Sequence, residues 1–274
     1  MLKKFSLPVD HVGILAGDIA KCSSVFFRLG FTADAGRVSF EGIPVESRPK
    51  VARFIFDNAY FECATANPDE YPCVKEGHFA HELVLTTLSA QKVAADAAKY
   101  GQTVGDIVHA KRDADHGELK GTAMFEFVLV RDTPLRDTMF GLVEHKTREL
   151  IMQDSKYAHQ NGTKRLGEIV ITCDDPAILD WMERNMPKIH ALVGPSDTEL
   201  LDIWVMSAAE ASEKVGVALP AGKVDYSVFT FEAADLEAVR GVLQAGGFAF
   251  AQKDERLVVD LTRELGKAIV FKQL

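Results

Sequence analysis

Apolar and polar positions along the chain group four times into a short apolar strand, a polar turn and a helix. Val9 to Leu15 is followed by the turn residues Gly17 and Asp18, then by a helical run that stops at Leu29-Gly30-Phe31. The same order returns in HELVLTTLSAQKVAADAAKYG at His81, EIVITCDDPAILDWMERNM at Glu168 and YSVFTFEAADLEAVRGVLQAGGF at Tyr226. Ser89, Asp174 to Pro176 and Asp235 mark helix starts, because Ser and Asp accept from unpaired first-turn N–H groups and Pro fits the first helical position. Val93, Ala94, Ala97 and Ala98, like Leu236, Val239, Val242 and Leu243, recur at helical spacing.

Strands follow each helix. The first unit continues through 37–40, 51–56 and 59–63, the second through 103–109, 121–130 and 139–145, and the fourth through 248–252, 256–261 and 267–272. The third is shorter, with strands expected at 188–193 and 199–206. The pattern predicts an α+β chain of four βαβββ units with boundaries near Val74, Gly162 and Gly222.

Composition narrows the partners. A net charge of −9 and a pI near 5.4 argue against nucleic acid, whose binding needs clustered Lys and Arg to displace counterions. Apolar runs fall far short of the roughly 20 residues of a membrane helix, so a cytoplasmic protein without membrane contact is expected. Four cysteines without a CxxC pair predict reduced, structural thiols.

The βαβββ repeat headed by DHVGI, with a helix ending in LGF, resembles the vicinal oxygen chelate superfamily of glyoxalases, extradiol and hydroxyphenylpyruvate dioxygenases and fosfomycin-resistance proteins. FGLVEHKTREL and YAHQNGTKRLGEIVITCDDP are similar to its glyoxalase-like branch. The resemblance implies two paired cup-shaped open barrels, one over residues 1–160 with a metal site and one over 161–274 without. It implies inward-facing metal ligands on the first and last strand of each unit, which here fall on His11, Glu62, His81 and Glu144. The intervals are 51 residues from His11 to Glu62 and 63 from His81 to Glu144. Strand alternation puts Tyr60, Glu62 and Ala64 on one face and Leu142, Glu144 and Lys146 on another.

Two imidazoles and one or two carboxylates suit Fe, Mn, Ni or Zn with open positions for a chelating substrate. The alternative is that these are edge-strand and hydrogen-bonded structural residues. Tyr60, His145, Thr147, His159 and Asn161 are expected near substrate, although His145 points opposite to Glu144 in a regular strand. Glu82 is expected to face away from His81, and His78, His109 and His116 to lie in loops. In the second half, Glu168 and Tyr226 replace the first-strand histidines, so that half is expected to pack, lid or form a homodimer.

Three functions follow: a divalent-metal-dependent lyase or isomerase in which Glu62 or Glu144 moves a proton, an Fe(II) dioxygenase using His11, His81 and Glu144, or a metal-free protein that binds a small molecule.

Overall fold

The computed structural model describes residues 2–40, 49–115, 117–153, 156, 158–222 and 224–274; His116 lies outside them. After β1 (Lys3–Leu7), the first unit runs β2 (Val9–Ala16), α1 (Ile19–Arg28), β3 (Asp34–Arg37), β4 (Ser39–Phe40), β5 (Lys50–Ile55) and β6 (Tyr60–Thr65). The second runs β7 (Ala80–Thr86), α2 (Ala90–Asp96), β8 (Thr103–Val104), β9 (Val108–Ala114), β10 (Gly121–Arg131) and β11 (Thr138–His145). The helix starts are those the caps predict: Asp18, Ser89, Asp175 and Asp235 each accept from a first-turn N–H.

These two units form one ten-stranded sheet in the order β3-β5-β6-β2-β7-β11-β10-β9-β4, with β8 on β10. Because β3 and β4 are consecutive yet pair with opposite edges, the sheet curls into a deep cup. His109 stands on β9, facing Glu126 at 3.2 Å, and not in a loop.

The second half departs from the expected pattern. It comprises β12 (Thr163–Thr172), α3 (Pro176–Val193), β13 (Leu201–Met206), α4 (Ala208–Val215), β14 (Asp225–Ala233), α5 (Leu236–Ala245), β15 (Phe250–Lys253), β16 (Arg256–Leu261) and β17 (Lys267–Gln273). The expected strand at 188–193 is the last part of α3, which continues through Pro187. Its third unit is completed from elsewhere: β1 pairs antiparallel with β13, in the seven-stranded order β1-β13-β12-β14-β17-β16-β15. Comparison with β5-β6-β2 shows β1 in the place of the missing strand.

The sheets pack back to back around one core that includes Val12, Ile14, Phe61, Leu83, Phe229 and Phe271, with Phe61 edge-on to Phe229 at 4.9 Å. In that core Cys22 and Cys63 lie in disulfide contact, where free thiols were expected. The hollow of the second sheet is filled: Ala211 and Val215 of α4 pack on Val170, Val228, Ala268 and Val270.

Candidate functional site

Side-chain parity decides what the first cup contains. On β2, Val12 and Ile14 enter the core between the sheets, which leaves His11, Gly13 and Leu15 on the concave face; on β6, Phe61 and Cys63 do the same and Tyr60, Glu62 and Ala64 face the cup. β7 runs antiparallel to β2 with Gly13 opposite Glu82 and Ile14 opposite His81. Glu82 therefore faces the cup, its Oε1 so close over Gly13 that a Cβ there would stand 2.1 Å away. His81 points the other way, a reversal of both expectations. On β11, Phe140 and Leu142 are in the core; Glu144 shares their side and accepts from the Ala90 N–H at 2.9 Å, at the start of α2. His145 is the one that turns into the cup.

Two buried polar centres result. The first is built on Asp10, which is fully buried. A register irregularity between Val9 and His11 lets the adjacent Asp10 and His11 side chains meet. Asp10 Oδ1 lies 2.8 Å from His11 Nδ1, while Oδ2 lies 3.0 Å from His145 Nε2, accepts from Arg148 NH1 at 2.9 Å and takes a longer 3.4 Å contact from Thr86 Oγ1. Burial opposes its charge, yet the nearby His145 and His11 hold its carboxyl well below the usual carboxylate range. An ionised Asp10 accepts, so His11 carries a proton on Nδ1, which leaves Nε2 as the ring nitrogen not engaged by that carboxylate. The ring is fixed by stacking on Tyr60, centroids 4.4 Å apart.

The second centre lies about two strand positions away. Arg53 on β5, 3% exposed, donates Nε to Glu62 Oε2 at 2.8 Å. Among the described residues its NH1 has no partner, nor has Glu82 Oε1. Burial, then the charge of Glu62, push the Glu82 carboxyl well above the usual range and so favour its neutral form, against the pull of Arg53. Arg112 on β9, held to Asp34 at 2.8 Å, lies close enough that, after burial, Arg53 lowers its pKa.

The remaining sequence candidates hold structure. His159 accepts at Nδ1 from the Thr32 N–H and donates Nε2 to Ile55 O, and burial pushes its pKa down to about 4. Asn161 donates to Leu29 O and accepts from the Thr163 N–H; Thr147 accepts from the Met124 N–H. Thus His11, Tyr60, Glu62 and His145 share the cup, while His81, Glu144, Thr147, His159 and Asn161 do not enter it. Asp10 and Arg53 are the residues that sequence reasoning missed. A charged Asp inside an apolar strand, and an Arg in VARFIF, were the available signals.

His81 instead joins the two sheets. Its Nε2 accepts from Lys267 Nζ at 2.7 Å and lies 3.0 Å from Asp225 Oδ1, to which Lys267 also donates at 2.8 Å. Its ring stacks on Tyr226, centroids 4.9 Å apart. Burial, then Lys267, push its pKa down to about 4.

The donor set does not fit a divalent metal. Of the four expected ligands, His81 turns to Lys267 and Asp225 and Glu144 to the start of α2, so only His11 and Glu62 face the cup. Glu62 is already held by a guanidinium that stands where a cation would. Among the described residues no three His, Cys, Asp or Glu side chains are placed to share a metal ion. The second hollow offers no counterpart, since Glu168 there is tied to Trp204 Nε1 at 2.9 Å and to Lys214 of α4 at 3.0 Å. No helix of the described residues is long and apolar enough to cross a membrane.

No protein-family model and no curated protein matches the chain. Solved structures do. A mutant of 4-hydroxymandelate synthase from Streptomyces coelicolor has a TM-score of 0.58 at 8% identity, covering 98% of this chain and 92% of that one. A hypothetical protein from Staphylococcus aureus has a TM-score of 0.54 at 11% identity over 100% of both chains. A xylose isomerase-like TIM barrel/4-hydroxyphenylpyruvate dioxygenase fusion protein has 0.53 at 11%; the match covers 98% of this chain, which spans about half (49%) of that one. At these identities the likeness is one of fold.

Proposed function

We propose that this chain, which has the fold of the vicinal oxygen chelate superfamily, uses its first cup to bind a small oxygen-bearing molecule and move a proton on it without a metal. The observation that carries this reading is the Asp10–His11 pair, a buried carboxylate that fixes an imidazole tautomer with its basic Nε2 left for chemistry. A carboxylate–imidazole pair of this kind is suited to general base work near neutral pH. Arg53 supplies the fixed positive charge that stabilises developing negative charge on an oxygen, and Glu82, whose neutral form burial favours, is the proton donor. Asp10 acts as a positioning residue. This favours lyase- or isomerase-type proton transfer over the dioxygenase named among the structural neighbours, because an Fe(II) dioxygenase site needs two imidazoles and a carboxylate converging on one ion, whereas among the described residues no three such side chains converge, and His81 and Glu144 turn away from His11.

Solvent-deuterium incorporation into small hydroxy and oxo acids, followed by proton NMR in the presence of EDTA, tests it. Exchange that survives chelation and falls at least tenfold in His11→Gln supports the reading. Exchange that appears only on reloading a divalent ion, with one metal per chain by elemental analysis, overturns it in favour of a metal-dependent enzyme.

A further inference from the structure

We propose that Arg53 is the anchor for the carboxylate of a small monocarboxylic acid, so that the cup selects its ligand by that group. This rests on the cup being the ligand site. Glu62 occupies the Nε side of the guanidinium, and NH1 is buried with no acceptor among the described residues. A buried donor without an acceptor is costly, the more so on a charged group, and native interiors rarely tolerate one. Glu82 Oε1 is likewise unpartnered and lies in the same part of the cup, reaching it over Gly13, where any side chain would collide.

The charge around Arg53 points to an anion. Arg53, Arg112 and Lys156 stand against two carboxylates, Glu62 on Arg53 and Asp34 between Arg112 and Lys156 at 2.8 and 3.2 Å, with Glu82 pushed toward its neutral form by burial, which leaves one positive charge to be matched. A further cation is disfavoured there. A phosphate dianion brings a second charge beside Glu62, whereas a carboxylate offers two planar oxygens that match guanidinium geometry and one negative charge.

The test uses acetate, glycolate, lactate and benzoate, each beside its own amide and with inorganic phosphate as a further arm, titrated by calorimetry into the purified chain. At least one carboxylate is expected to bind ten times or more tighter than its amide, and to lose ten-fold or more in Arg53→Met. Lys99→Met, a change at an exposed cation outside the cup, leaves binding unchanged. Since Arg53→Met strands Glu62, the double variant Arg53→Met/Glu62→Gln keeps the test sound if the single one misfolds; it too should lose binding. Amides binding as tightly as acids, phosphate binding in preference to every carboxylate, or no acid binding better to wild type than to the folded double variant overturns the proposal. Carboxylate binding without deuterium exchange overturns the proton-transfer reading alone. Exchange on a neutral compound that Arg53→Met leaves intact overturns this inference alone.

Discussion

Replacing Lys267 by Met removes the cation from a polar knot that spans both sheets. Lys267 is 1% exposed and its Nζ holds Asp225 on β14 and His81 on β7. Removing one partner of a buried pair costs about 3–5 kcal/mol. Asp225 keeps 24% of its side-chain surface in solvent, so water recovers part of that loss and we expect about 2–3 kcal/mol. At ~2–4 °C per kcal/mol for a chain of this size, the melting temperature falls by ~5–10 °C. The sign of the pH effect is specific. Without Lys267, His81 loses the cation that opposes its protonation and keeps Asp225 at 3.0 Å. Its imidazolium then becomes the replacement partner, so the deficit relative to wild type is smaller at pH 5.5 than at pH 8. Urea midpoints at the two pH values measure this, with Lys267→Met/Asp225→Asn recovering part of the loss. A deficit below 0.5 kcal/mol by the stated scale, or one that is equal at both pH values, refutes the assignment of the knot as an inter-sheet tie.

Wild type itself should weaken in mild acid. His81 and His159 have pKa values pushed down to about 4 against an unfolded value near 6.5, so the stability they contribute is complete above about pH 6.5 and is lost as pH falls toward 4, by several kcal/mol together; a flat urea midpoint over that window contradicts it. Asn161→Ala strands Leu29 O and the Thr163 N–H in a fully buried place and should cost about 2–4 kcal/mol while carboxylate affinity, read by calorimetry, stays as in wild type. Gly13→Ala drives a methyl into Glu82 Oε1 and, at 2.3 Å, Glu62 O; a loss of about 1–3 kcal/mol or more accompanied by loss of ligand binding is expected, and a neutral, fully binding variant is the contrary result.

The repeat made the fold legible, and His11 and Glu62 with it, but not the parity of β7 and β11. Superimposing His81 on His11 treats the strand heads as equivalent, whereas one residue of slip moves every side chain to the other face. The sequence did hold the correction. In HELVLTT the large apolar residues Leu83 and Leu85 share the parity of His81, as Phe140 and Leu142 share that of Glu144, and these are the positions that fill the core between the sheets. Asp10 was hidden for a different reason, because regular alternation sends neighbours to opposite faces and only the local irregularity brings it beside His11. α4 had a readable start in Ser207 and Glu210, which form a capping box. β1 had none: KKFSL is too short to announce a strand, and its partner lies far away in sequence.

That distance orders events when the chain is made. Leu7 meets Leu201 across the edge of the second sheet, with only Pro8 separating β1 from β2 in the first. At ~5–20 residues per second, the ribosome needs ~10–40 s to deliver β13 after β1 has emerged. The first cup can assemble in that interval from segments already available, trailing the unpaired β1 from its own first strand. β1 thus cannot take its place until β13 has emerged, and its edge stays open to solvent or to a chaperone for that interval.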